Sequence, residues 1–188
     1  MTTQAIFILQ FMSSLLVIGL LARWVLAPWL ANQSQRNALF WLTLPHAFRY
    51  IGLVFLVPGV VAQPLPDSFA IAAAYGDLLA AVLALLALVA LRAGGRAGAV
   101  GVVWLFNVVG TVDLLNALRH VEVAPLFGAT WYIPTMLVPL LLVTHFMIFT
   151  RLIKPVAGRT FEEIPNFNKI PPQPCLTSKS TPDIFDCV

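Results

Sequence analysis

Arg49, Asp77, Asp113 and His145 lie inside stretches otherwise apolar enough to cross a bilayer. His46 stands three residues before Arg49, in the run Leu44-Pro45-His46-Ala47-Phe48-Arg49-Tyr50. An ionised side chain near the middle of a membrane helix costs at least ~2.5–3.5 kcal/mol, so such groups are generally paired and often functional. A guanidinium among carboxylates can form a buried ion pair, hold an anionic group, or tune an acid that exchanges protons. Two histidines on different helices can carry protons or ligate a haem iron.

The rest of the chain makes these residues exceptional. Of its 188 residues, 60% are hydrophobic and 10% are charged, against about 25% charged in soluble domains. The mean hydropathy is +0.89. A surface this apolar has to be solvated by lipid. The net charge of +3 could suggest nucleic acid, but the basic residues sit at the ends of apolar stretches and form no cluster with interleaved aromatics. That distribution argues for membrane topology and against nucleic-acid binding.

Five apolar stretches, at about 5–22, 38–62, 69–91, 98–118 and 129–150, each reach the ~20 residues that span a bilayer. The expected fold is therefore an all-α polytopic membrane bundle of five transmembrane helices over residues 1–154. Arg23, Arg36, Arg92, Arg96, Arg151, Lys154, Arg159, Lys169 and Lys179 fall on one side, nine of the eleven Lys and Arg residues. The positive-inside rule then puts the N-terminus outside and the C-terminus in the cytoplasm, with a plasma (inner) membrane as the expected location. Met1-Thr2-Thr3-Gln4 lacks the basic residues of a signal peptide, so the first stretch is read as a retained helix. Residues 155–188 carry six prolines and read as a disordered cytoplasmic tail. Both cysteines, Cys175 and Cys187, lie in this tail without metal-site spacing.

Helical rise sorts the polar groups by depth. His46 and His145 fall in the half nearer the basic loops. Arg49, Asp77, Asn107 and Asp113 fall from the midplane toward the other face, and His120 lies at the boundary, outside both layers. Arg49 is expected to pair with Asp77, with Asp113, or with both. In the third stretch, Ala73, Asp77, Ala80, Ala84 and Ala87 share an α-helical face whose small side chains allow close helix approach. In the second, His46, Arg49, Tyr50 and Leu53 share one. In the fourth, Asp113, Asn116 and His120 point together, with Asn107 and Gly110 rotated off that line. Asn107 can serve the site or simply bond a neighbouring helix. Pro45, Pro58, Pro134 and Pro139 interrupt the helical ladder, and a wet cavity beside His46 would suit the carbonyl that Pro45 frees.

No nucleophile elbow, Walker loop or zinc-protease motif occurs, so no enzyme activity is indicated, and no metal site. The leading expectation is a small transporter-like or ligand-binding protein built on Arg49, Asp77, Asp113 and Asn107. One alternative is a redox protein with non-covalent haem b between His46 and His145. Another is a non-catalytic subunit or scaffold within a homo-oligomer or larger membrane complex. No other cofactor is expected, and the bilayer is the one partner common to all three readings.

Overall fold

In a computed structural model, residues 1–61, 65–93 and 95–153 are described. The tail assigned to residues 155–188, with both cysteines, lies outside them. The described residues are all helical in architecture, with no strand among them. Five helices are long and apolar enough to cross a membrane: α1 (Thr3–Ala31), α2 (Gln35–Leu56), α3 (Asp67–Ala93), α4 (Ala97–Ala117) and α5 (Gly128–Ile153). Because the spans alternate, the N-terminus, the α2–α3 connection and the α4–α5 connection share one end, here called the N-terminal face. The arginine-bearing ends of α1, α3 and α5 share the other, the basic face.

The helices begin and turn where the local chemistry requires. Thr2 and Ser34 cap α1 and α2, their hydroxyls accepting from the N–H groups of Ala5 and Asn37. The chain leaves α2 at Val57, immediately before Pro58, and Gly59 takes a positive φ of 83° that a side chain would resist. At the basic face Trp29 and Trp41 pack edge to face, and Arg92 lies 4.6 Å over the Phe40 ring. Both are the amphipathic contacts favoured at a membrane interface.

The decisive departure from regularity is in α2. Gln35–Thr43 is α-helical, but Leu44–Leu56 is a 3-10 helix of 13 residues, where runs beyond three or four are uncommon. Pro45 opens this segment and has no N–H to place on the carbonyl four residues back. With three residues per turn, positions i and i+3 eclipse. His46, Arg49, Gly52 and Phe55 therefore form one straight column, and they are the buried residues of the segment. An α-helical face through Arg49, Tyr50 and Leu53 does not exist here: Tyr50 is half exposed.

α3 packs chiefly on this 3-10 column and on α4. Its Ala73, Ala80, Ala84 and Ala87 are buried, so the small-residue face is the packed one. On α4 the inward face is Val103, Phe106, Asn107, Gly110 and Leu114, while Asn116 is exposed. The expected Asp113–Asn116–His120 line is thus corrected, and Asn107 and Gly110 turn out to face the bundle.

Packing differs at the two ends. Toward the basic face, Leu30, Leu39, Leu42, Leu91, Val103 and Ile148 belong to a closed, mainly aliphatic core. Toward the N-terminal face, Phe7, Phe55, Phe69 and Phe127 form an aromatic one with Val123 and Leu65. On α2 and α3, Arg49 and Asp77 each lie between a residue of the aliphatic core and one of the aromatic core.

Candidate functional site

Arg49 is 1% exposed, and each of its three guanidine nitrogens has an acceptor. Nε donates to Asp77 Oδ1 at 2.7 Å, and Nη2 also lies 2.7 Å from that oxygen. Nη2 donates to Asp113 Oδ2 at 2.5 Å, and Nη1 donates to the Gly110 carbonyl at 3.1 Å. One side chain from α2 thereby ties together α3 and α4. Planar, forked donors make arginine suited to such convergence.

Glycines make the room. A Cβ at Gly52 would overlap the Asp77 carboxylate, and one at Gly76 would overlap that of Asp113. A Cβ at Gly110 would lie 2.8–2.9 Å from the imidazole of His145 and 3.0 Å from Arg49 Nη1. Three glycines on three helices thus bring backbone against the charged groups, where any larger residue would force them apart. The sequence does not mark these glycines as site residues by type, although Gly52 follows Arg49 by three residues and Gly76 adjoins Asp77.

A cavity of about 40 Å³ borders the carboxylates, room for about three waters. Asp77 and Asp113 line its floor, and Phe7, Phe55, Phe69 and Phe127 its walls, with His120 at the N-terminal face. His120 stacks edge-on against Phe69 and shares a 3.0 Å hydrogen bond from Nδ1 to Glu122 Oε1. Glu122, fully exposed in the connection between α4 and α5, has its carboxyl held below the usual range, first by a backbone hydrogen bond and then by His120. His120, which depth alone separates from both layers, therefore borders the approach to the acids. The cavity lies beside Asp77 and Asp113, on the opposite side of Arg49 from His46.

His46 and His145 meet in a second, closed layer. Their ring centroids are 4.1 Å apart, and Phe106 packs on both at 5.0 and 5.3 Å. Their tautomers follow from their partners. The Thr144 hydroxyl lies 3.0 Å from the carbonyls of both Leu140 and Leu141, so it donates there and accepts from His46 Nε2–H at 2.9 Å. Asn107 Nδ2 donates to the His145 carbonyl at 3.3 Å, so its Oδ1 accepts from His145 Nδ1–H at 2.7 Å. Among the described residues His46 Nδ1 and His145 Nε2 are left as buried nitrogens without a partner. Asn107 thus serves the histidine layer, not the ion-pair layer in which depth had put it.

Haem does not fit between these rings. Axial ligands stand on opposite sides of a flat macrocycle, each with a nitrogen about 2 Å from the metal. Two imidazoles in direct contact, wedged against Phe106, leave no slot for one. Among the described residues no group of three or more His, Cys, Asp or Glu is arranged to hold a metal ion.

Residues 6–153 match the model of a family described as a domain of unknown function, DUF8737. The chain belongs to the DUF8737 family. The match takes in all five helices nearly whole, and so every residue of both polar layers of this DUF8737 domain. No curated protein and no solved structure matches the chain.

Proposed function

We propose that the chain is a transporter-like, ligand-binding membrane protein whose Asp77–Arg49–Asp113 site takes up a proton or a small cation. The observation that carries this is a mismatch of charge at a cavity wall. Two carboxylates and one guanidinium leave one negative charge, and both acids border the cavity while the guanidinium is closed off behind them. Arg49 has its nitrogens engaged by protein acceptors, so it is poorly placed to receive an anionic ligand. The remaining charge calls for a proton or a cation, and the phenylalanine walls favour the latter through their ring faces. Carboxylates inside a membrane commonly serve such exchange.

The cavity beside the acids lies among the aromatic residues of the N-terminal end, while the buried aliphatic cluster lies between the acids and the basic face. With the positive-inside orientation, in which nine of eleven basic residues face the cytoplasm, the cavity opens to the outside of a plasma membrane. A cysteine at Glu122 should then react with an impermeant maleimide added to whole cells, and one at Ser34 should not. The reverse pattern would invert the orientation.

Function is tested with reconstituted protein on a solid-supported membrane. A jump in proton or monovalent-cation concentration should give a transient current in the wild type, lost in Asp77→Asn and Asp113→Asn. Equal currents in the wild type and in properly folded Asn variants would refute the proposal.

A further inference from the structure

Independently of that site, α1 and α5 line a groove of about 610 Å³ toward the basic face, within the ~300–1,000 Å³ of pockets that enclose a ligand. Small residues create it. Gly19 and Ala22 line its α1 side opposite Val143 and Phe146 of α5, and a Cβ at Gly19 would meet none of the described residues within 4 Å. The groove runs from Leu15 to Ala27 on α1, twelve residues or about 18 Å along the helix axis. That is the depth to which part of one acyl chain reaches from a membrane surface.

Its mouth is charged. Arg23 and Arg151, one from each helix, line the groove at its basic end. Among the described residues Arg151 Nη1 has no hydrogen-bond partner, so the side chain has a spare donor to turn toward an anion at the mouth. Across the same seam a second groove, of about 380 Å³, is lined by apolar residues and Thr144 and has no cation. The two grooves share Ala22 and Val143 and differ in charge, so one protein carries its own comparison.

We infer that the Arg23–Arg151 groove is a binding site for an anionic phospholipid, with an acyl chain along Gly19 and Ala22 and the phosphate between the two arginines. A zwitterionic lipid fills the apolar part equally well but brings its own cation to the mouth, so it gains less there. Each basic residue near a membrane surface favours an anionic lipid by roughly fivefold, and two set a preference on the order of tenfold or more.

The test is lipid retention. Full-length protein is reconstituted in vesicles of equimolar phosphatidylglycerol and phosphatidylcholine, released gently, and its bound lipids are counted by native mass spectrometry. The wild type should retain phosphatidylglycerol preferentially. R23Q/R151Q should retain both lipids without preference. Gly19→Phe, which fills empty space and leaves both arginines in place, should lower retention of either lipid. Equal retention by the wild type would overturn the inference. So would a preference that survives R23Q/R151Q, or retention unchanged in a folded Gly19→Phe protein.

Discussion

At the scale of single residues, Arg49 holds the bundle's charged layer together. Taking one member out of a buried ion pair is far more damaging than replacing the whole pair, because it strands the remaining charge. Arg49→Ala leaves two facing carboxylates in an apolar seam and should destabilise the protein by about 3–5 kcal/mol. The triple replacement Arg49→Met, Asp77→Asn, Asp113→Asn removes all three charges and should recover much of that loss. Unfolding in mixed micelles, followed by circular dichroism, measures both. If Arg49→Ala proves as stable as the triple variant, the charges are not coupled as the distances of 2.5–2.7 Å indicate. The pairing of Arg49 with an acid is legible in the sequence, since a lone arginine at membrane depth needs an anion. That both acids share it is not decided there, because depth along a helix does not fix rotation about it.

Rotation is an element-scale property, and the element that sets it is the 3-10 half of α2. An α-helix over Leu44–Leu56 would turn by 100° per residue and spread His46, Arg49, Gly52 and Phe55 around the helix. At 120° per residue they stay in one column, at roughly 6 Å intervals. That column serves every level of the site in turn: the histidine contact, the guanidinium, the backbone against Asp77, and the aromatic wall. Reading the sequence with α-helical periodicity brings Tyr50 to Arg49 and passes over Gly52, for this physical reason. The same reading succeeds on α3, whose alanine face is regular α-helix. Gly52→Ala should push the α2 column off Asp77 and cost about 1–3 kcal/mol, the usual range for overpacking, with Gly76→Ala acting likewise on Asp113. Gly19→Ala, in open space, should cost far less and serves as the control. Micelle unfolding of the three variants gives the comparison, and equal stability at all three positions would contradict the close approach.

For the whole molecule, composition and apolar length point to five spans, and among the described residues five helices are long and apolar enough to cross a membrane. What composition leaves open is the difference between the two ends. The cavity beside the acids comes from how Phe7, Phe55, Phe69 and Phe127 converge from distant parts of the chain. No sequence spacing announces that convergence, and His120 joins it only through the connection after α4. Asp77 and Asp113 therefore border a cavity at one end of the bundle.

The central claim is that this excess charge is balanced by a proton or cation taken up at Asp77 and Asp113. Infrared difference spectroscopy of the reconstituted protein, titrated with acid and then with monovalent cations, reads it most directly. A carboxyl band should appear on acidification, be displaced by cation addition at fixed pH, and disappear in Asp77→Asn/Asp113→Asn. A spectrum unchanged by these substitutions, with both acids remaining ionised and indifferent to added cation, would contradict it and reduce the cluster to a structural tie between helices.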